Sequence, residues 1–314
     1  MHHIKPSFAK IDPAHLMDGL FVPTNGKKRG RLYVAPRRFG DTRISFQGFE
    51  QLGAEDQSVL LAVMAQLGID GLTISNNPGG PISLFLRQEL EMKGSDTDAN
   101  LRTKKTTLRS ILIDAGYDPY RGTSDITASL NRLGNAQIRE QKDKGWDRRC
   151  NLLSTSFNKE TDELHVAVNP RLAGSVFGGQ HVKISLYERN TLKTEAAKIL
   201  HSWLCSNIRL GKALGNGNGA HIDTLVPHVW GIGTESESRQ VQSKRRCILR
   251  DALDEIRDSS KVLHDGYGWS IDQTSSGLAI VSRPKELPWL EKAADGLTPG
   301  QLDDAMKEPG ADWI

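Results

Sequence analysis

Cysteine is scarce in this chain: Cys150, Cys205 and Cys247 stand far apart among 314 residues. That excludes a disulfide framework and a zinc knuckle, which need close, paired cysteines, and the three thiols are expected to be reduced and mostly buried. Long apolar runs are missing as well. Nothing approaches the ~18 to 20 residues of a membrane helix, and the start MHHIKPSFAK lacks the apolar stretch of a secretory signal. A cytoplasmic protein is expected.

Motifs of catalysis are also lacking. A P-loop requires G-x-x-x-x-G-K-[ST], yet Gly26-Lys27 is followed by Lys28 and Gly211-Lys212 by Ala213. No two histidines flank a single apolar residue, the arrangement with which a DNA-nicking enzyme would hold a divalent metal beside its tyrosine. His2 and His3 read as incidental. The others (His15, His165, His181, His201, His221, His228, His264) are dispersed without carboxylates or cysteines at metal spacing and read as structural. Gly215 to Gly219 does not sit inside a βαβ unit, so it reads as a linker or turn rather than a dinucleotide loop. No enzyme, cofactor or metal is expected.

What is present is length, patterning and uneven charge. A chain of 314 residues exceeds one ordinary core and suggests two domains plus tails. The net charge is +3, but the last 30 residues hold three lysines against seven acids, which leaves +7 on residues 1–284. A basic body with an acidic tail is compatible with nucleic-acid binding.

Residues 1–29 are interrupted by Pro6, Pro13, Pro23 and Gly26, with Gly30 just beyond, and lack periodicity; they read as an arm without a core of its own. Arg31 to Ala35 and Arg43 to Gln47 alternate like a hairpin around Gly40-Asp41. From Leu52 to Leu67 the period changes to three and four, predicting a helix. Thr106 to Ala115 and Thr123 to Leu133 predict two more, separated by a turn. Ala136 to Gln141 and Asn151 to Phe157 then read as strands around a basic tip. Helix, turn, helix and basic-tipped hairpin is the order of a winged helix.

After strands at Glu163 to Val168 and His181 to Ser185 the order recurs. Helices are predicted over Thr194 to Asn207, Ile222 to Val229 and about Ser238 to Asp258, followed by a hairpin of Trp269 to Gln273 with Leu278 to Ser282. The long helix is the most informative. Val241, Ile248, Leu249, Ala252 and Ile256 share one face, with Arg239, Ser243, Arg246 and Arg250 opposite. Residues 239–250 hold five cations and no acid, whereas 251–258 hold four acids and one cation. That polarity opposes the helix dipole. A recognition helix explains it, because its N-terminal part enters the major groove, where arginine pairs with guanine O6 and N7. The bland alternative is a solvated basic face. For the first half, Thr123, Ser124, Thr127, Asn131 and Arg132 lie on the candidate recognition helix, Lys142, Lys144, Arg148 and Arg149 in the hairpin, and Lys104 and Lys105 before the preceding helix. These read as phosphate contacts or as plain surface.

The stretches DPAHLMDGLF (12–21), QLGAEDQSVL (51–60), LHVAVNPRLAGSVFGGQHVKIS (164–185), EAAKILHSWLC (195–205), HIDTLVPHVWG (221–231) and KRRCILRDAL (244–253) resemble the RepC initiators of IncQ-type plasmids. The resemblance spans about residues 11–284 and is densest from Leu164 onward. It implies two winged-helix domains that bind directly repeated iterons of duplex DNA in the plasmid origin, promote local opening and bring in the plasmid's helicase and primase. It places Lys244, Arg245, Arg246 and Arg250 on the basic recognition helix. This chain departs from the pattern in an expanded loop at Gly215 to Gly219 and beyond Pro284.

The expectation is therefore an α+β protein of two tandem winged-helix domains, 30–160 and 161–284, after an arm (1–29) and before an acidic tail (285–314). DNA contacts are assigned to Arg239, Ser243, Lys244, Arg245, Arg246 and Arg250, with Lys104, Lys105, Thr127, Asn131, Arg132, Lys142, Lys144, Arg148 and Arg149 extending the footprint. A homodimer off the DNA is compatible with this reading. The alternative is a winged-helix transcription regulator, which palindromic rather than directly repeated sites would indicate. A third class is a scaffold whose tail anchors (Trp289, Leu290, Leu297, Leu302, Trp313) meet a partner.

Overall fold

The computed structural model describes residues 6–24, 26, 28–142, 147–231, 237–263 and 268–285. The chain opens with β1 (Phe8–Ile11), then β2 (Leu32–Phe39), β3 (Thr42–Gly48), α1 (Ala54–Asp70), β4 (Leu72–Ile74) and α2 (Pro81–Glu89). β5 (Leu101–Thr106) runs into α3 (Leu108–Asp114) and α4 (Ser124–Gly134), followed by β6 (Gln137–Lys142), β7 (Arg148–Asn151), β8 (Leu153–Asn158) and β9 (Glu163–Val168). Beyond these lie α5 (Pro170–Val176), β10 (Val182–Ser185), α6 (Leu186–Thr191), α7 (Glu195–Asn207) and β11 (Ala220–His221). The chain continues through α8 (Ile222–Trp230), α9 (Arg239–Leu263), β12 (Ser270–Gln273) and β13 (Leu278–Ser282). The class is α+β, with small antiparallel sheets set among helices.

One succession of elements occurs twice. In the first half it is α1, β5, α3, α4 and the hairpin β8–β9, with β9 paired to both β8 and β5. In the second it is α7, β11, α8, α9 and the hairpin β12–β13, with β13 paired to both β12 and β11. Both times the strand after the first helix joins the second strand of the hairpin. The first half carries insertions at β4–α2 and β6–β7.

That arrangement changes the expected hairpin. β6 does pair with β7, but β6 also pairs with β3, in a sheet ordered β2-β3-β6-β7. The predicted strand Asn151 to Phe157 is broken at Leu152. The Leu152 N–H donates to Ala136 O at 2.8 Å and its carbonyl accepts from Asn169 N at 3.1 Å, so the chain leaves one sheet there and enters the other. The hairpin that closes the first repeat is therefore β8–β9.

The non-periodic start is expected to be an arm without a core of its own. It has none, and instead joins the common one: β1 pairs antiparallel with β10, and Ala9, Ile11, Ala14, Leu20 and Phe21 are buried. Asp18 lies 2.6 Å from Arg37 and 2.9 Å from His228, whose ring stacks on Trp203 at 4.0 Å. Four residues of strand carry too little pattern to reveal a partner more than 170 positions away.

α1 starts where the Asp56 carboxylate accepts the Gly53 backbone N–H at 2.7 Å. Its apolar stripe predicts one buried face, yet Gln57, Ser58 and Gln66 are buried as well, because α7 packs beside Gln57 and Ser58 and α3 beside Gln66, whose amide donates to Ser110 Oγ at 3.1 Å and Asp114 at 2.6 Å. Between α1 and α7 Arg189 of α6 is wholly buried. It donates to Ser58 Oγ (2.6 Å), Gln57 Oε1 (2.8 Å), Ala54 O (3.3 Å) and Ser202 Oγ (3.3 Å). A single apolar cluster runs from Ala9 to Val281 through both repeats. No helix among the described residues is long and apolar enough to cross a membrane.

Candidate nucleic-acid interface

α9 divides into an anchored half and a projecting one. Leu249, Ala252, Leu253 and Ile256 are buried. Arg239, Gln240, Ser243, Lys244, Cys247 and Arg250 are exposed, and so is Val241, at 40 %. The N-terminal half thus presents a nearly continuous polar and basic surface, as the 3.6-residue period requires once the core positions are spent at the other end.

The five cations there are not equivalent. Arg245 turns inward. It lies 2.6 Å from Glu237, just before the helix, and its guanidinium covers the Trp230 ring at 5.4 Å, so it binds the end of α8 to the start of α9. Arg246 is half-exposed and takes the Asp223 carboxylate of α8 through Nε and Nη2. Arg239, Lys244 and Arg250 face solvent. Arg250 borders the β12–β13 turn: a Cβ on Gly277, whose φ of +86° favours glycine, would stand 3.7 Å from its Nη2. Its carbonyl accepts from Gln273 Nε2 at 3.1 Å, and Asp254 accepts from the same amide at 3.0 Å. Helix and hairpin are therefore joined next to the exposed arginine.

The acids of the C-terminal half have structural work that sequence reading missed. Glu255 accepts from Thr194 Oγ1 at 2.6 Å and from the Lys193 and Thr194 backbone N–H groups, which caps the start of α7. Asp254 and Asp258 each stand 2.8 Å from Arg257. Hydrogen bonding from Arg257 holds the Asp258 carboxyl below its ordinary range. The reversed polarity of α9 thus comes from two demands, α7 capping at one end and a basic exposed face at the other.

On α4 the exposed stripe is Ser124, Thr127 and Asn131, one turn apart, continued by Asn135 at the helix C-cap. Thr127 Oγ1 donates to Thr123 O at 3.2 Å. Arg132 is not on this stripe. It points into the fold, bonding the buried Asp56 at 2.8 Å and Ser129 at 3.0 Å. Asp56 also takes Arg29 at 2.7 Å, so this carboxylate, closed off from solvent, organises two arginines. Tyr120 and Arg121, just before α4, are exposed and were not singled out from sequence; Arg121 reaches Glu55 at 3.5 Å and Asp125.

The remaining predicted cations are scattered and mostly paired. Lys104 and Lys105 lie on β5, beside Asp70 and at 2.5 Å from Glu163. Lys142 stands 3.9 Å from Asp41. Arg148 stands 3.6 Å from Asp96. Arg149 is half-buried on β7, and Lys144 lies outside the described residues. The structure gathers Arg239, Ser243, Lys244, Arg246 and Arg250 on one helix and leaves the first-half set on three separate elements.

No group of three or more His, Cys, Asp or Glu among the described residues is placed to hold a metal. Cys150 and Cys205 are buried and Cys247 is exposed. No curated protein matches the chain. The family model of Replication protein C matches residues 4–285, nine-tenths of the sequence, and the chain belongs to that RepC family of plasmid replication proteins.

Proposed function

We propose that the chain is the iteron-binding initiator of an IncQ-type plasmid. Its two halves, 30–160 and 161–284, act as tandem winged-helix domains on duplex DNA, α9 entering a major groove and the β12–β13 hairpin lying along the flanking backbone. One observation carries this reading: the same order of elements and strand pairing occurs twice in one chain, the second time behind a helix with an exposed basic face.

Two such units in one chain fit direct repeats better than palindromes, since the second unit needs no symmetric partner. Arg250 and Arg246 read bases, Arg239, Ser243 and Lys244 meet bases or phosphates nearby, and Arg245 supports the helix. α4 extends the footprint through Thr127 and Asn131. The protein has no catalytic role in this reading; opening draws on binding energy and DNA bending from several copies, with the plasmid's helicase and primase acting afterwards.

The test is binding to an origin fragment with direct repeats against a scrambled fragment of equal length at two salt concentrations. A ladder of one complex per repeat is expected. Equal, steeply salt-dependent binding to both fragments overturns the initiator reading and leaves a DNA-binding protein of another kind.

A further inference from the structure

The sheet β2-β3-β6-β7 buries one face and exposes the other. Alternation turns Leu32, Val34, Ile44, Phe46, Ile138 and Cys150 into the core. The register lays a row across the opposite face: Tyr33 beside Gln47, Gln47 beside Gln137, and Gln137 beside Asn151. Gln47 Nε2 donates to Gln137 Oε1 at 2.9 Å. The next row sets Ser45 beside Arg139 and Arg139 beside Arg149.

Two rings on this face contribute little to the fold. Tyr33 is 71 % exposed and Phe49, just past β3, is 79 % exposed. Beside Phe49 opens a cleft of about 230 Å³, walled by Arg31, Gln47, Asn135, Gln137, Asn151 and Glu91. It is smaller than the ~300 to 1,000 Å³ of a drug-sized pocket, and on the scale of one base. Among the described residues Arg31, Arg38, Arg43, Arg139 and Arg149 stand on or beside this face, with Glu91 in the wall of the cleft and Asp147 beside Arg139. Arg139 and Asp147 pair at 2.6 Å while both half exposed, a contact weak enough for a phosphate to displace.

This chemistry selects among nucleic acids. A duplex shows protein only the edges of its bases, and those are reached by a helix or hairpin in a groove. Exposed rings on an open sheet offer flat surfaces, which match unstacked bases; side-chain amides meet any base edge, and arginines meet the backbone. The cleft is also continuous with the proposed duplex contact, because Asn135 both lines it and extends the α4 stripe of Thr127 and Asn131.

We propose that this sheet face binds single-stranded DNA, with bases stacked on Tyr33 and Phe49, one of them seated in the cleft, and the backbone held by Arg31, Arg43 and Arg149. The site goes beyond duplex recognition and shares no residue with α9. Its consequence is thermodynamic: a face that binds only the open strand shifts the duplex toward opening by its affinity for that strand, without ATP.

The test uses the full chain, a labelled 20-nucleotide oligothymidylate and a labelled duplex of direct repeats, read by fluorescence anisotropy. In the Tyr33→Ala/Phe49→Ala variant, oligothymidylate binding is expected to weaken at least roughly tenfold, since each stacked base is worth ~1 to 3 kcal/mol, with duplex binding unchanged. No oligothymidylate binding by the unaltered protein overturns the proposal. So does an equal loss on both probes, which makes the face part of the duplex footprint. Photocrosslinking of bromodeoxyuridine-substituted strand to the unaltered protein removes any dependence on variant folding: adducts on Tyr33 or Phe49 support the site, and adducts confined to α9 sink it. Repeat-specific duplex binding without single-strand binding refutes this site alone, while the converse refutes the initiator reading and leaves the site standing.

Discussion

Asp223, in the first turn of α8, grips Arg246, in the middle of α9, by the side of its guanidinium: Nε meets Oδ1 and Nη2 lies 3.3 Å from Oδ2. The end-on edge, formed by Nη1 and Nη2, faces away from the carboxylate. That is the edge able to pair with guanine O6 and N7. If this surface meets DNA as proposed, an acid on it costs affinity for phosphate and supplies direction in return.

Arg246→Ala is therefore expected to weaken binding to the repeats by about 1 to 3 kcal/mol and to relax the base preference at one position. Asp223→Asn does something different. It frees a cation, so binding to scrambled duplex strengthens and its salt dependence steepens by about one phosphate contact, while the preference for repeats narrows. Salt titrations on both fragments check this. An Asp223→Asn protein with undiminished discrimination means that Arg246 does not read a base.

Arg245 and Arg250 occupy one helix, yet their substitutions should separate. Arg245→Ala removes the contacts to Glu237 and Trp230 and is expected to lower the melting temperature, with DNA binding reduced only as the start of α9 loosens. Arg250 is exposed, so Arg250→Ala should leave melting unchanged and weaken repeat binding by at least about tenfold. Thermal melting beside anisotropy distinguishes them. The opposite pattern exchanges the two roles.

Arg189 tests how the halves are held together. Burial pushes its guanidinium down to about 10, still charged at neutral pH, and neutral oxygens alone surround it at hydrogen-bonding distance. Arg189→Ala leaves those oxygens without their donor and opens a cavity, for an expected loss of about 3 kcal/mol or more in urea unfolding. Arg189→Met fills the space and should cost less. Equal losses from the two variants mean that hydrogen bonding, not packing, is what Arg189 supplies.

What could be read from sequence was what repeats locally. The α9 stripe follows from 3.6-residue spacing and its charge polarity from the order of cations and acids along the chain, and the α8, α9, β12 and β13 segments lie where period and turn residues place them. Contacts between distant positions were not legible. Arg132 looks like a surface cation until Asp56, 76 residues earlier, draws it inward. The four residues of β1 have meaning only beside β10, and the break at Leu152 only when β3 has claimed β6. Asn135 was within reach, since it continues the i, i+4 spacing of Thr127 and Asn131.

The second half also contains a buried titrating group whose sign can be worked out. His201 lies 2.9 Å from Glu188 and 3.8 Å from the Cys205 sulfur, edge-on to Trp269. Burial disfavours the imidazolium, but the charge and hydrogen bonding of Cys205, whose own pKa the contact lowers, and of the Glu188 carboxylate outweigh it and raise the ring to about 9, against 6.5 in the unfolded chain. A raised folded value means that the native state binds the proton more tightly, so the stabilisation is fully present below pH 6.5 and is lost as pH rises through 9. The His201 contribution to melting temperature should accordingly fall between pH 6.5 and 9, opposed in part by Cys205, whose lowered pKa adds stability as pH rises toward 9. His201→Gln is expected to be less stable at pH 6 and to flatten that fall, because its amide can bond Glu188 but cannot take up the proton. If the variant and the unaltered protein lose stability in parallel across this range, another group carries the dependence and His201 is neutral in the fold.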